Sequence, residues 1–235
     1  MPRLERPVSE SSNPAKKFLE WKSTEKAFQY YDKSKESKIK VDLPLKVLFL
    51  EHYHTIKGWS DSANSGIWSN EVYSIAKESL EVKSKSGTIV NGIYKDNKNT
   101  IKNSGGVYHR SVYCMAENGE IINLQLKGAA IGGLKKDSSI EKLDVDGYSD
   151  FYKKNHHLLD NQWIEIKSIK EGKKGSVKFS IPHFEIGEAI SREDDIKANY
   201  AASELQRYIN AYFSKESVED VVSENKELAL EDLDL

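Results

Sequence analysis

Hydrophobic and polar positions alternate in the middle of the chain and predict an antiparallel sheet. Residues 107–115 and 121–127 form two such runs, and Asn118-Gly119 lies between them. An Asn-Gly turn between two alternating runs is a strong hairpin signal. Residues 163–167 and 176–181 flank a turn rich in Gly and Lys, and predict a second hairpin.

Helical spacing appears in three other segments. Residues 191–213 place apolar side chains at helical steps after Ser191, and Asp194 follows this N-cap three positions later, as in a capping box. Residues 92–103 and 148–159 predict shorter helices. Residues 15–21, with two aromatic residues three apart, are also compatible with a helix, whereas the polar residues 59–70 predict a loop.

Antiparallel strands, a helix between strand groups and a terminal helix are together typical of an α+β domain. We expect an OB-like antiparallel β-barrel with helical insertions, a C-terminal helix and a disordered acidic tail. The Pro- and Ser-rich residues 1–14 predict a flexible leader, residues 15–214 the folded domain and residues 215–235 the tail.

Charge is distributed unevenly along the 235 residues. The whole chain has 35 Lys and Arg against 37 Asp and Glu, a net charge of −2. Its last twenty residues contain eight acids and one base, net −7, so the other 215 residues hold 34 bases and 29 acids, net +5. A basic body attracts polyanions, and a tethered acidic segment can compete for the same surface or recruit a second partner. The alternative is a solvated terminus with no partner.

Hydropathy and cysteine content indicate a cytoplasmic protein. The mean hydropathy is −0.64, and no apolar run approaches the ~18 residues of a membrane helix. The N-terminus lacks the apolar stretch of a secretory signal. Cys114 is the only cysteine, which excludes an intrachain disulfide and is typical of a reducing compartment.

Enzyme signatures are sparse. Neither a Gly-x-Gly-x-x-Gly nor a Gly-x-Ser-x-Gly motif occurs, and no third ligand stands at metal-site spacing from His52 and His54. Asp61 followed by Glu81-Val82-Lys83 leaves open a Mg²⁺-dependent nuclease, in which the acids hold the metal and the lysine steadies the attacking water. We expect no catalytic activity, no cofactor and no bound metal, with the nuclease as the alternative.

Aromatic and basic residues are interleaved in the body of the chain. Single-stranded nucleic acid is bound without sequence preference by cations that track the phosphates and by rings that stack on unpaired bases. Trp59 and Trp68 stand out because polar residues surround them. For any single aromatic residue the alternative is core packing. The expected nucleic-acid-binding residues are Lys57, Trp59, Trp68, Tyr73, Lys77, Tyr94, Tyr108, Arg110, Tyr113 and Lys127.

The last eight residues alternate acids with apolar residues, and the final residue is apolar. They resemble the C-terminal tails of bacterial and phage single-stranded DNA-binding proteins. That resemblance implies an OB-fold body and an acidic tail that docks on polymerases, helicases and primases and screens the DNA groove when DNA is absent. The implied partner-binding residues are Glu231, Asp232, Leu233, Asp234 and Leu235.

A second resemblance covers most of the chain, from about Lys16 to Phe213. Residues 17–22, 43–72 (with His-Thr-Ile-Lys-Gly-Trp and Gly-Ile-Trp-Ser-Asn-Glu) and 123–128 are similar to a protein of tailed phages of the crAss-like group. The resemblance implies an OB-like single-stranded DNA-binding role in phage replication or recombination, in the cytoplasm of the host cell.

Three hypotheses therefore remain. The first is a non-catalytic single-stranded DNA-binding protein, with RNA as a possible substitute, whose domain at residues 15–214 binds the strand and whose tail recruits replication proteins. The second is the nuclease that uses Asp61, Glu81 and Lys83. The third is a phage structural or host-interaction protein, in which the tail is inert and the two tryptophans meet protein.

Overall fold

The computed structural model describes residues 12–133, 145–174 and 177–231, with the backbone alone at 173–174, 177 and 214–231. Within these ranges the protein is α+β, as predicted, with eleven strands in one sheet and four α-helices. The strands are β1 Lys17–Lys22, β2 Ala27–Asp32, β3 Ser37–Val41, β4 Leu45–Ser60, β5 Ser65–Ser69, β6 Leu80–Ser84, β7 Gly87–Gly92, β8 Gly106–Ala116, β9 Ile121–Lys127, β10 Gln162–Lys174 and β11 Val177–Ala189. The helices are α1 Tyr94–Asn103, α2 Ala129–Gly132, α3 Tyr148–Asn155 and α4 Arg192–Glu231.

The sheet follows the order β3-β2-β1-β9-β8-β4-β5-β6-β7, and β10 joins it by pairing with both β4 and β11. Only β1 and β9 are parallel among the pairs of the described residues. No ladder in these ranges joins β3 to β7, so this path is open and the expected closed OB-like barrel is not confirmed. The long strand β4 instead branches the sheet, because it pairs with β10 near its start, with β5 at its end and with β8 along its length.

Several elements predicted from the sequence are confirmed. The hairpin at Asn118-Gly119 joins β8 to β9, with Met115 paired to Ile121. The second hairpin joins β10 to β11, and both strands are longer than predicted. Helices α1 and α3 lie within their predicted segments. Helix α4 starts with the capping box, since Ser191 and Asp194 exchange backbone and side-chain hydrogen bonds.

Two predictions were wrong. Residues 15–21 are not helical, because Leu19 and Trp21 alternate inward and β1 pairs with β9, about a hundred residues away in sequence. Residues 59–70 are not a single loop, since Trp59 lies in β4 and Trp68 in β5, and only the short turn at residues 61–64 connects these strands. The polar composition of this segment reflects a solvent-facing hairpin rather than the absence of strands.

The C-terminal end of the chain also differs from expectation. The backbone of α4 is helical to Glu231, so most of the expected disordered tail continues the helix, and residues 232–235 lie outside the described part. No Gly or Pro stands within α4 to end it earlier. At the other end, residues 1–11 of the expected leader lie outside the described part, while Asn13 donates a hydrogen bond to the Tyr113 hydroxyl at 2.9 Å.

Three hydrophobic clusters cover different parts of the sheet. The largest joins the side of β1, β8 and β9 that carries Leu19, Val112 and Leu124 to α2, α3 and β11. A second packs α4 on the other side of the sheet, around Tyr53 and Met115. The third packs α1 near the free ends of β4 and β5. Helix α4 therefore covers only one end of its side of the sheet.

Candidate nucleic-acid interface

The side of the sheet that α4 leaves uncovered carries the two predicted tryptophans. Lys57 of β4 is paired with Trp68 of β5 and with Val107 of β8, so these side chains share one side. Trp59 lies two residues beyond Lys57 and points to the same side. Four side chains from three strands are thus brought together.

The same side continues across the next three strands. His109 is paired with Lys127 of β9, Gln125 with Glu20 of β1, and Glu20 with Gln29 of β2. By the two-residue alternation of strands, Phe18 and Tyr31 also belong to it. We call this surface the basic face, defined by Phe18, Tyr31, Lys57, Trp59, Trp68 and Lys127.

Four large aromatic rings of the basic face are exposed to solvent. The exposed fractions are 41% for Phe18, 58% for Tyr31, 55% for Trp59 and 47% for Trp68. At a strand spacing of about 4.8 Å, the five strand intervals from β2 to β5 place these rings across roughly 24 Å of sheet. Exposed rings spread over several strands offer stacking surfaces for more than one base.

An open groove of about 1290 Å³ runs along the basic face. Phe18, Tyr31 and Trp59 line it, together with three acids, Glu20, Asp32 and Asp61. More than twice as many lysines line it, so the groove has a net positive charge. These lysines are Lys16, Lys17, Lys22, Lys33, Lys38, Lys57 and Lys127.

Glu20 partly neutralises the groove. Its carboxylate accepts a hydrogen bond from Lys127 Nζ at 2.7 Å and lies 2.6 Å from Lys22 Nζ. Burial alone would raise the pKa of Glu20, but the two lysines outweigh burial and lower this pKa to about 2. Glu20 is therefore ionised at neutral pH and occupies two cations that a phosphate could otherwise contact.

Lys57 lies at the centre of the basic face. Its Nζ is 5.2 Å from the centroid of the Phe18 ring, in a cation–π contact. Burial lowers the pKa of Lys57, while the carboxylates of Glu71 and Glu20 act against this shift. An approaching phosphate would stabilise the charged form of this lysine.

The floor of the basic face is a chain of buried polar groups. Gln125 donates a hydrogen bond to Asn123 at 2.5 Å, Asn123 to Ser111 at 2.7 Å, and Ser111 to Glu71 at 2.5 Å. Tyr113 also donates to Glu71, at 3.0 Å. Burial raises the pKa of Glu71 against these hydrogen bonds. The network fixes β8 and β9 beneath the groove, because each buried polar group has a partner.

Three predicted binding residues lie on the opposite side of the sheet. Tyr108 and Arg110 alternate with His109 in β8 and therefore point away from the basic face. The Tyr108 hydroxyl is 2.6 Å from His54 Nδ1. Tyr94 of α1 packs on the same side, with its ring centroid 5.7 Å from that of Tyr108.

The other three predicted residues lie near α4 or in a loop. Tyr113 is fully buried, and its ring is not available to solvent. Tyr73 is 49% exposed, although one side of its ring stacks on Phe213 of α4 at 5.1 Å. Lys77 is exposed in the loop before β6. The structure thus joins Lys57, Trp59, Trp68 and Lys127 of the expected set in one surface and disperses the other six.

The tail residues are described only in part. Glu231 is the last residue of α4, and only its backbone is described; Asp232, Leu233, Asp234 and Leu235 lie outside the described residues. The last described side chain of α4, Phe213, contacts Tyr73. The acidic residues 216–235 begin three positions after Phe213 in the sequence.

The three residues of the nuclease hypothesis lie in β6 and in the turn before β5. Glu81 and Lys83 form an ion pair at 2.6 Å, and Asp61 lies in the turn between β4 and β5. Searched over the described residues, no group of three or more His, Cys, Asp or Glu side chains is placed to hold a metal ion.

Sequence reasoning missed Phe18, Tyr31 and the lysines of β1–β3. A signal was present, because Phe18, Glu20 and Lys22 alternate with Leu19 and Trp21 in β1. Treating that segment as helix hid the alternation. No pattern within one strand, however, shows that β1 lies beside β9.

Comparison with known proteins gives no further assignment: no family model, curated protein or solved structure matches the chain. Among the described residues, no helix is long and apolar enough to cross a membrane.

Proposed function

We propose that this protein is a non-catalytic single-stranded DNA-binding protein that binds the strand along the basic face. The observation that carries the proposal is the combination, on one side of one sheet, of four exposed rings with a groove in which lysines outnumber acids. Unpaired bases stack on aromatic rings whatever their identity, at about 1–3 kcal/mol per base. Lysines beside the rings contact the phosphates that connect those bases.

The proposed ligand is a single strand because stacking needs unpaired bases. In a duplex the flat surfaces of the bases are already stacked on one another, and only phosphates and groove edges are accessible. RNA also offers unpaired bases and phosphates, so it is the natural competitor. In this proposal the open sheet binds the strand as the surface of an OB-fold does. The bound length of the strand is then of the order of 4–16 nucleotides.

The acidic tail has two proposed roles: to screen the groove when DNA is absent and to recruit replication proteins. Its net charge of −7 opposes the net +5 of the rest of the chain. The segment begins three residues after Phe213, which packs on Tyr73. A tethered polyanion that begins next to the binding side competes with DNA at low salt and leaves the groove when a strand displaces it.

The proposed setting is phage replication or recombination in the cytoplasm of an infected cell. This part rests on the resemblance of residues 16–213 to a protein of crAss-like phages and on the tail pattern. Polymerases, helicases and primases are the partners expected to bind residues 231–235.

The test is a titration of the full-length protein with labelled single-stranded oligo-dT, the equivalent RNA and a duplex, at several salt concentrations. We expect oligo-dT to bind at least tenfold more tightly than the duplex, with an affinity that falls linearly in log–log form as salt rises. Each titration is repeated with Mg²⁺ or Mn²⁺, and the DNA is examined for cleavage.

Two results would overturn the proposal. One is equal affinity for duplex and single strand, because phosphate contacts alone would then account for the binding. The other is cleavage of the strand with a divalent metal, which would make the protein a nuclease. Absence of any retardation at about 50 mM salt would favour a protein partner for the exposed tryptophans instead.

A further inference from the structure

A second cavity lies on the opposite side of the sheet from the basic face. Arg110 of β8 is paired with His54 of β4 and with Leu126 of β9. It directly follows His109, whose side chain faces the groove. Its side chain therefore points to the side covered by α3. There it lines a cavity of about 380 Å³ together with His52 and residues of α3.

The cavity collects positive charge and hydrogen-bond donors. Arg110 comes from the sheet, and Lys153, His156 and the Ser149 hydroxyl come from α3 and the residue after it. None of the lining residues is a carboxylate. Burial raises the pKa of Tyr152, and the carboxylates of Glu51 and Asp160 add to this shift, but neither of them lines the cavity.

Arg110 is incompletely satisfied in the structure. Its Nε is buried and has no hydrogen-bond partner, and none of the ion pairs among the described residues involves its guanidinium. Leaving a buried donor of a charged group without a hydrogen bond costs free energy. A guanidinium presents five donors in a planar fork that matches the oxygens of phosphate. An anion in the cavity would supply further acceptors for the guanidinium.

His52 lines the cavity as a neutral group. Burial, Arg110 and His54 lower the pKa of His52 to about 3, so His52 is neutral at pH 7. Its Nδ1 is 3.0 Å from the hydroxyl of Tyr148. Burial raises the pKa of Tyr148 well above its ordinary value, so this hydroxyl keeps its proton. When the hydroxyl donates to Nδ1, Nε2 of His52 carries the ring proton and is a donor.

Aromatic rings form part of the wall of the cavity. The centroids of His52 and Tyr152 are 4.5 Å apart, and His156 lies against Tyr152 at 6.1 Å.

From these contacts we propose that the Arg110 cavity is a binding site for a phosphate group, separate from the DNA-binding face. Arg110 supplies the fork, Lys153 a mobile positive charge, and Ser149 and His52 neutral donors. The phosphate can belong to the free anion, to a nucleotide or to the 5′ end of a DNA strand. The site does not depend on the function proposed for the basic face.

The test measures binding by calorimetry and by the shift in Tm of the full-length protein. Its ligands are inorganic phosphate, a nucleoside 5′-monophosphate, and a short oligo-dT with or without a 5′-phosphate. Sodium chloride at equal ionic strength controls for general salt effects. We expect at least one phosphate ligand to bind and to raise Tm, whereas chloride does not. Comparing the ligands then identifies which source of phosphate the cavity prefers.

The variants assign the binding to the cavity. Arg110→Gln is expected to weaken phosphate binding at least tenfold, and Arg110→Lys less, because the charge remains while the fork is lost. Lys153→Gln tests the site without altering the sheet and is expected to weaken binding several-fold. Lys154→Gln is the matched control on the same helix, since Lys154 pairs with Asp146 and does not line the cavity.

The proposal is overturned if no phosphate ligand binds at ~10 mM, a concentration at which even millimolar sites are occupied. It is also overturned if Arg110→Gln and Lys153→Gln both bind phosphate as the unaltered protein does. Substitution of Trp59 and Trp68 is expected to leave binding of inorganic phosphate unchanged. Failure of the basic face to bind DNA would therefore be distinguishable from failure of this site.

Discussion

Trp59 and Trp68 are exposed because the strands that carry them end beyond the reach of α4. Their hydrophobic neighbours in β4 and β5, Ile56 and Ile67, point to the other side and are buried against α1. Trp21 and Trp163, in contrast, are each only 3% exposed. The four tryptophans of the chain thus divide into two that stabilise the core and two that are available to a ligand.

Replacing either exposed tryptophan should weaken DNA binding without unfolding the protein. We expect Trp59→Ala and Trp68→Ala each to lose about 1–3 kcal/mol of binding free energy, roughly 5- to 150-fold in Kd. Anisotropy of a labelled oligo-dT measures the loss. Tyr200→Ala is the matched control, because Tyr200 is 65% exposed on α4, away from the basic face. Equal affinities in all three variants would contradict base stacking at these positions.

Glu20 is the residue whose removal should improve binding. In Glu20→Gln, Lys22 and Lys127 lose their carboxylate partner and the groove gains a positive charge. We expect a several-fold tighter Kd for oligo-dT at about 50 mM salt, and a smaller gain as salt screens the charges. Glu193→Gln on α4, which removes a carboxylate paired with Lys197, serves as the control and should leave the Kd unchanged.

Acid stability gives a second measurement on Glu20→Gln. The pKa of Glu20 is lower in the folded protein, at about 2, than its ordinary value of 4.5. Its contribution to stability is therefore complete above about pH 4.5 and is lost as the pH falls towards 2. The variant should lose less stability over this range than the unaltered protein. At neutral pH the difference should be under about 1 kcal/mol, because the ion pairs are half-exposed.

At the scale of elements, β4 controls the position of Lys57 and Trp59. It pairs with β8 over eleven residue pairs, from Val47 to Gly58, and then with β5. The strand end that carries Trp59 passes very close to the start of β8. A Cβ on Gly58 would lie 2.1 Å from the carbonyl oxygen of Gly105, which no backbone can accommodate without shifting.

Gly58→Ala should therefore destabilise the fold and displace Trp59. We expect the free energy of unfolding to fall by about 2 kcal/mol or more, because a backbone clash cannot be relieved by a side-chain rotation. Urea denaturation followed by circular dichroism measures this change. Gly66→Ala, in the neighbouring β5, is the control, since its nearest neighbour would be 4.0 Å away. Similar loss of stability in both variants would contradict the close approach of β4 and β8.

At the scale of the whole molecule, one chain carries a basic face and a C-terminal segment of acidic sequence. The basic face and the acidic C-terminal segment are linked through α4, whose described side chains end at Phe213 beside Tyr73. In the proposed function, this link raises the local concentration of the acidic segment at the groove.

Removing residues 216–235 should tighten DNA binding at low salt, because a competing segment of net charge −7 is lost. We expect a several-fold lower Kd at about 50 mM salt and little difference once salt screens the interaction. A full-length variant with the eight acids changed to amides should behave like the truncated protein. If the truncated protein bound DNA no more tightly than the full chain, self-screening by the tail would be excluded.

Local patterns predicted those elements whose stabilising contacts are close in sequence. The Asn118-Gly119 hairpin brings together residues a few positions apart, and the Ser191 capping box closes within three residues. The prediction for β1 was wrong because its partner β9 is about a hundred residues away in sequence. In addition, Phe18 and Trp21 are three residues apart, which is also a helical spacing. The predicted exposure of Trp59 and Trp68 is confirmed. The reason given for it was wrong, because these residues lie in a hairpin at the end of the sheet and not in a polar loop.

The sequence by itself determined the α+β class, the main hairpins, the start of the last helix and the separation of charge between body and tail. Only the tertiary structure decided which of the two alternating sets of side chains in β8 belongs to the basic face. The alternation in the sequence divides the side chains between the two sides of the sheet, but it does not show which side other elements cover. Helices α2 and α3 and strand β11 cover the side of Arg110 and Tyr108, while α4 covers only part of the side of Lys57. Those packing choices depend on contacts between distant segments, and they place the exposed rings of the basic face and the Arg110 cavity on opposite sides of the sheet.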